Sequence, residues 1–236
     1  AFRLKHPKTK RSYKAKAPGK LTVRDGSQYQ VGITSYPQTV IKTGPWEGYN
    51  LYLLSGIELP ITGRYANQYR VELDRDWRGW VDTTRVVMQP EGTPPPQAII
   101  GRNFNFEVTN DSVRVIIPTG NNVTFEIKHS IEPLEFEVRF YNAIHRLDRF
   151  VYLTNDPIVR DIEWRQEGES VVMLKIKTHI RWGWGYDARY IEPGKFALTI
   201  RRPPRIKPEA NALRGRRIVL DPGHAPDHGG LGPLGF

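Results

Sequence analysis

A histidine near the end of the chain follows a short apolar run in the pattern of a strand that ends in a turn. Ile218, Val219 and Leu220 form the run, and Asp221-Pro222-Gly223 separates it from His224. β-branched residues favour a strand, and Pro and Gly end it, so the pattern places His224 at the tip of a strand. The segment therefore predicts the first strand of an α/β domain that presents a histidine as a ligand.

The composition is that of a globular protein with a basic surface. Of 236 residues, 39% are hydrophobic and 25% are charged. No apolar run approaches the ~20 residues that a membrane span requires. The net charge of +10, concentrated in residues 3–20 and 201–217, predicts attraction to nucleic acid, anionic lipid or an acidic cell-wall polymer. The absence of cysteine excludes disulfides and thiolate metal sites. The chain starts at Ala1 without the apolar core of a signal peptide, so we expect that any export signal has been removed.

Apolar and polar residues alternate along most of the chain up to about Pro208, which is typical of β-strands with one buried face. The clearest runs are QYRVELD, VTFEIKH, LEFEVRF, VVMLKIKTHI and KFALTIRR. From these runs and the segments beside them we expect seven residues in the two cores: Leu59, Val71, Trp80, Phe136, Val138, Leu174 and Ile176. Proline-rich segments at residues 89–97 and 201–215 cannot donate a full set of backbone hydrogen bonds and predict linkers.

Two stretches resemble known β modules of cell-wall enzymes. Residues 36–87 contain Tyr69-Arg70-Val71 and then Gly79-Trp80-Val81, and they resemble the bacterial SH3-like domain, which implies a small barrel. The middle of the chain, with Ser112–Pro118 as its first typical strand, resembles the AMIN-type β domains that precede cell-wall amidase domains.

The segment at residues 218–224, IVLDPGH, resembles the start of the zinc-dependent N-acetylmuramoyl-L-alanine amidases. That family hydrolyses the amide between the muramoyl lactyl group and the first alanine of the peptidoglycan stem peptide, and the resemblance implies that His224 is a zinc ligand. The implied fold is mainly β, with an SH3-like barrel, a β-sandwich-like module and the first strand of an α/β amidase domain. The predicted divisions are a basic arm (1–35), an SH3-like module (36–88), a proline-rich linker (89–97), an AMIN-like module (98–202), a second linker (203–215) and the start of the amidase domain (216–236).

A catalytic zinc requires about three protein ligands and an open position for water. In the amidase family the other ligands are a glutamate and a histidine, and a catalytic glutamate lies near the end of the domain, all downstream of this motif. No glutamate follows Glu209 in the sequence, so we expect only the start of the catalytic domain here, without catalytic residues and without retained zinc. Pro226 opposes a helix, which disfavours a separate site made from His224 and His228. The other histidines have no ligand spacing and are expected to be structural: His6, His129, His145 and His179.

The segment Trp182-Gly183-Trp184-Gly185-Tyr186 places three aromatic residues at alternate positions. One interpretation is a surface on which sugars or a nucleic-acid strand stack. The other is a glycine-permitted bulge whose aromatic rings pack into the core, and base rates favour this second interpretation.

Two hypotheses for function follow. The first is an exported peptidoglycan amidase of the periplasm or cell envelope, with peptidoglycan as partner, zinc as cofactor and no membrane span. The second is a non-enzymatic envelope module that binds peptidoglycan or another polyanion. Nucleic-acid binding is disfavoured because no RNP-like aromatic motif, helix-turn-helix or zinc finger is present. The oligomeric state is not predicted.

Overall fold

The chain is almost entirely β in the part that the structure, a computed structural model, describes: residues 2–5, 12–15, 22–23, 29–75, 77–147, 158–204 and 217–219. It divides into two compact units, Ala1–Pro203 and Pro204–Phe236. Within the described ranges the only helical element is one 3-10 turn, Thr83–Arg85. The prediction of a mainly β fold is confirmed. The described residues include no helix long and apolar enough to cross a bilayer.

Twenty strands are described, in chain order. The first ten are β1 (Phe2–Lys5), β2 (Ser12–Ala15), β3 (Thr22–Val23), β4 (Gln30–Thr34), β5 (Thr39–Lys42), β6 (Tyr49–Leu53), β7 (Glu58–Tyr65), β8 (Gln68–Asp74), β9 (Trp77–Asp82) and β10 (Val86–Met88). The second ten are β11 (Ala98–Ile100), β12 (Asn105–Val108), β13 (Ser112–Pro118), β14 (Phe125–Ile131), β15 (Leu134–Tyr141), β16 (Ala143–His145), β17 (Val159–Glu167), β18 (Val171–Thr178), β19 (Tyr186–Glu192) and β20 (Lys195–Arg201).

Strands β3–β10 form one antiparallel sheet, which we call the first sheet. Its order is β10-β4-β7-β8-β9-β5-β6, and β3 pairs with β7. β4 lies inside this sheet between β7 and β10, although it falls within the predicted N-terminal arm. The arm prediction followed the charge of residues 3–20, whereas QVGIT in β4 carries the buried Val31 and joins the core.

The core of the first sheet is built from alternate residues of its strands. Leu59 and Val71 are fully buried, as predicted. The prediction for Trp80 is wrong, because Trp80 is only half-buried and lies on the outer face of β9. Side chains alternate along a strand, and Gly79 and Val81 occupy the inward positions. Ile41 packs so closely on Gly79 that a Cβ atom added to Gly79 would lie 2.2 Å from the Cγ2 atom of Ile41.

Residues 98–201 form the second module, in which two four-stranded antiparallel sheets share one core. The sheet orders are β12-β13-β20-β19 and β14-β15-β18-β17, and β11 pairs in parallel with β16. Side chains of both sheets meet in a single buried cluster. The predicted core residues are all fully buried: Phe136, Val138, Leu174 and Ile176.

The first sheet and the second module are joined by reciprocal hydrogen bonds between Glu58 and Asn122. The backbone N–H of Glu58 donates to the carbonyl of Asn122 (2.8 Å), and the N–H of Asn122 donates to the Glu58 carboxylate (3.2 Å). The Asn122 amide also donates to the carbonyl of Gly56 (3.1 Å) and accepts from the N–H of Gly194 (2.7 Å). These bonds connect β7, the turn before it and the β19–β20 turn, because the backbone of Asn122 bonds Glu58 and its side chain bonds Gly56 and Gly194.

Aromatic stacking supports the same junction. The rings of Trp77 and Tyr141 are stacked with centroids 5.2 Å apart. Asp74 accepts a hydrogen bond from Ser170 beside them. The connecting residues 89–97 contain no strand, and within them Pro96 is buried. The modules that the sequence presents as separate are therefore packed against each other.

The unit Pro204–Phe236 is described only at Pro204 and residues 217–219. Ile218 and Val219 are exposed and belong to no strand. The rest of the predicted first strand of an α/β domain, from Leu220 onward, lies outside the described residues, so this strand stays a prediction.

We expect Asn122→Ala to lower the free energy of unfolding by about 1–3 kcal/mol, because it leaves the N–H of the buried Gly194 without its partner, and the carbonyl of the half-buried Gly56 loses a donor as well. Asn105→Ala removes an exposed amide and should change the value by less than about 0.5 kcal/mol. Urea unfolding followed by tryptophan fluorescence measures both. Equal stability of the two variants would contradict the role of Asn122.

Candidate binding surface on the first sheet

A strained tryptophan is presented by the hairpin loop between β5 and β6. The loop is closed by hydrogen bonds from Thr43 N–H to the Gly48 carbonyl and from Glu47 N–H to the Gly44 carbonyl, both 3.0 Å long. Trp46, at the tip, has a φ of 62° and is 52% exposed. A left-handed conformation costs a residue with a side chain roughly 1–2 kcal/mol, and such strain concentrates at functional sites. Trp46 is therefore the first candidate binding residue.

Trp46 begins a run of aromatic rings on the outer face of the first sheet. Its ring lies edge-on to Tyr65 (5.5 Å between centroids), and Tyr65 lies edge-on to Trp80 (6.4 Å). On β6, Tyr49 and Tyr52 form another edge-on pair at 6.2 Å and are 67% and 63% exposed. Trp46, Tyr49 and Tyr52 are exposed, whereas Tyr65 is buried and Trp80 half-buried, and grouped exposed rings mark interaction surfaces more often than scattered apolar residues do.

The strand register places two cations in a row with these rings. Arg70 on β8 is opposite Trp80 on β9, and Trp80 is opposite Lys42 on β5. Lys42 is in turn opposite Tyr49 on β6. Directly opposed residues of antiparallel strands have their Cβ atoms about 4.5–5.5 Å apart on the same face. The order across the four strands is therefore cation, aromatic ring, cation, aromatic ring.

The two cations of this row are not neutralised by ion pairs within the described ranges. Arg70 donates to the hydroxyl of Thr62 (2.9 Å) and to its carbonyl (3.3 Å), which are uncharged acceptors. Lys42 lies close enough to Asp82 to affect it. Burial by itself would raise the pKa of Asp82, but hydrogen bonds from Thr84 and Gln68 and the charge of Lys42 outweigh burial and lower this pKa. The surface keeps net positive charge beside exposed rings.

The cleft at the junction of the two modules is a weaker candidate. It has a volume of about 630 Å³ and is lined by Trp77, Tyr141, Arg139 and Glu167 among others. Arg139 forms an ion pair with Glu167 (3.0 Å), so its charge is already compensated. Burial, and then the charge of Glu126, raises the pKa of Tyr141 well above its ordinary value, and the hydroxyl remains a donor to Glu126 at 3.1 Å. These polar groups pair with one another within the second module, although Nη1 of Arg139 is buried without a hydrogen-bond partner among the described residues.

The sequence-predicted histidines are not brought together in the described part of the chain. His224, the predicted zinc ligand, lies outside the described residues, as does His6. His129 contacts the rings of Phe136 and Tyr186, and His145 accepts a hydrogen bond from a backbone N–H. Among the described residues no three His, Cys, Asp or Glu side chains are close enough to hold a metal. The described surface is suited to binding, and no catalytic residue is assigned to it.

The favoured interpretation of the WGWGY segment, with its rings in the core, is wrong. Trp182 and Trp184 are 51% and 46% exposed, and Tyr186 is also exposed. Gly183 is exposed as well, and a Cβ on it would lie 3.3 Å from the Leu134 side chain, so a larger residue at this position would crowd Leu134.

Comparisons of the chain with protein-family models, with curated proteins and with solved structures found no match. Its function is therefore argued from the chemistry of its surfaces and of its sequence motif.

We expect Trp46→Gly to change the free energy of unfolding by less than about 1 kcal/mol. Glycine relieves roughly 1–2 kcal/mol of left-handed strain, which offsets the lost edge contact with Tyr65, worth about 0.5–1.5 kcal/mol. Tyr49→Gly is the matched control, since Tyr49 also forms one edge contact but lies in a strand, where glycine itself costs about 0.5–1 kcal/mol. Urea unfolding should rank Tyr49→Gly as the less stable variant, and the reverse order would contradict strain at Trp46.

Proposed function

We propose that residues 1–203 form the peptidoglycan-binding unit of an exported N-acetylmuramoyl-L-alanine amidase. The observation that carries the binding half is the row of Arg70, Trp80, Lys42 and Tyr49, in which two cations without ion-pair partners alternate with aromatic rings. Peptidoglycan offers the complementary groups, because its stem peptides carry carboxylates and its glycan strands carry sugar rings. The proposed location is the periplasm or cell envelope, where this polymer lies.

The charges of this surface favour a carboxylate ligand. Arg70 retains guanidinium N–H groups that can bond a carboxylate in a planar, bidentate manner, and Lys42 supplies a point charge on the other side of Trp80. The exposed ring of Trp46 adds apolar contact at the edge of the row. Because these groups are in contact with solvent, salt should screen their attraction over a distance of about 10 Å at 0.1 M ionic strength.

The amidase half of the proposal is supported by the sequence IVLDPGH, which follows the compact unit after a basic segment. In that family His224 would bind zinc, and zinc would supply a hydroxide nucleophile and polarise the amide carbonyl. His224 is one ligand of the about three that such a site requires, and the described residues add no group of metal ligands. The residues present do not make up a zinc site, so no reaction step is derived for this chain.

A non-enzymatic envelope module is the second candidate function. The same cation and aromatic row supports it, because binding requires nothing from residues 204–236. Nucleic acid fits the described surfaces less well. A strand-binding groove tracks several phosphates with a continuous line of cations, and the row contributes only Lys42 and Arg70.

We expect purified peptidoglycan sacculi to retain the chain at low salt and to release it as salt is raised. Lys42→Gln should lower the retained fraction and flatten its salt dependence, because one of the two cations of the row is lost. Lys195→Gln removes the same charge from a lysine that pairs with Glu192 in the second module, and it should leave retention unchanged. Co-sedimentation over a salt series measures this, and equal loss in both variants would point to net charge alone. Absence of retention at any salt concentration would contradict peptidoglycan binding.

We expect the 236-residue chain to release no stem peptide from sacculi and to bind zinc negligibly, because His224 is followed by no glutamate. In a longer form that carries a downstream glutamate and histidine, zinc-dependent release should appear and His224→Ala should abolish it. Sacculus retention should be unaffected by His224→Ala, since the binding surface is in the first sheet. Chromatography of released peptides checks both forms, and full activity of the longer His224→Ala form would overturn the amidase assignment.

A further inference from the structure

Two tryptophans at one end of the second module, Trp182 and Trp184, are exposed, and Tyr186 beside them is 38% exposed while its ring contacts Phe136 and His129. The segment Arg181–Tyr186 connects β18 to the edge strand β19. At its start, the carbonyl of Ile180 accepts from the N–H of Leu134 (3.2 Å). At its end, the carbonyl of Gly185 accepts from the N–H of Arg201 (3.0 Å). Both ends are therefore fixed to neighbouring strands, so Trp182 and Trp184 are presented from an anchored loop.

Glycines account for the exposure of these rings. Gly183 lies against the buried Leu134, where a Cβ would already be in tight contact. Gly185 has a φ of 101°, a conformation that a residue with a side chain rarely adopts. Gly183 lies against the Leu134 side chain and Gly185 against the Arg201 side chain, and the intervening Trp184 is left about half exposed. Neighbouring exposed apolar rings, unlike scattered ones, mark interaction sites, so this segment has the properties of a binding surface.

Two cations around the segment, Arg181 and Arg189, are paired with carboxylates, unlike those of the row on the first sheet. The Arg181 guanidinium lies 5.3 Å from the centre of the Trp182 ring and pairs with Glu132 at 2.8 Å. On β19, Arg189 pairs with Asp187 at 2.6 Å. The carboxylates beside these cations would repel phosphates, which disfavours a nucleic-acid strand. The side chain of Arg201 lies against Gly185 and adds N–H donors for uncharged oxygens.

We propose that Trp182, Trp184 and Tyr186 form a stacking surface for the uncharged sugar backbone of a glycan chain. Sugar rings have apolar C–H faces that pack on the electron-rich faces of aromatic rings, and their hydroxyl and acetamido oxygens accept from donors such as Arg201. The choice of an N-acetylated cell-wall glycan as the ligand rests on the proposed function. The stacking surface itself is separate from the cation and aromatic row of the first sheet.

The test is a titration of the full chain with the hexamer of N-acetylglucosamine, a neutral glycan without stem peptides. Binding is measured by calorimetry and by the shift of tryptophan emission. Loss of one stacked ring typically costs tenfold or more, so Trp182→Ala with Trp184→Ala should weaken binding at least about tenfold. Trp182→Phe with Trp184→Phe keeps the stacking faces and should retain affinity within about threefold. Tyr36→Ala is the matched control and should leave binding unchanged, because it removes an exposed ring that lies under Arg85 and belongs to neither proposed binding surface.

A second measurement uses the unaltered protein, in case the double alanine variant does not fold. The hexamer should protect Trp182 and Trp184 from oxidation by N-bromosuccinimide, located by mass spectrometry. Binding should change little with salt. Unchanged affinity of a folded double alanine variant, absence of protection, or displacement of the hexamer by an oligothymidylate that binds more tightly would each overturn the proposal. Loss of sacculus retention with intact hexamer binding would contradict the proposed function alone.

Discussion

The arrangement of the first 203 residues depends on the hydrogen bonds of one asparagine. Asn122 uses its backbone and its side chain to bond Glu58, Gly56 and Gly194, which belong to both modules. An amide can serve as donor and acceptor at once, and no apolar residue could replace it without leaving buried groups unsatisfied. The stacked rings of Trp77 and Tyr141 extend the same junction. The two β modules consequently behave as one body, and both proposed binding surfaces are carried on it.

The location of the strands and most of the core could be predicted from the sequence, because alternation of polar and apolar residues directly reflects the two faces of a strand. QYRVELD coincides with β8, and Phe136, Val138, Leu174 and Ile176 are buried as expected. Trp80 is an exception, because its hydrophobicity predicts an inward-facing side chain. Its neighbours Gly79 and Val81 hold the inward positions, and the alternation of side chains along the strand leaves Trp80 on the outer face.

The candidate surface could not be predicted because it depends on pairing between strands that are distant in the sequence. Lys42, Tyr49, Arg70 and Trp80 become neighbours only through the order β8-β9-β5-β6. The left-handed backbone of Trp46 also could not be predicted from the sequence. Gly44-Pro45 predicts a turn, but it does not indicate which residue of the turn has the positive φ. The motif around His224 differs from this surface, because it suggests zinc chemistry directly from the sequence, by resemblance to a family. The described residues neither add zinc ligands to His224 nor form another set of zinc ligands.

The exposed rings of Trp182 and Trp184 and the row around Trp80 lie on different modules, and the junction at Asn122 keeps those modules together. A polymer long enough to reach both surfaces would, once held at one, be present at high effective concentration at the other. Short pieces of the same polymer gain nothing from this arrangement, because each occupies a single surface. Under the proposed function, coupling of the two surfaces would favour a long polymer over its short fragments.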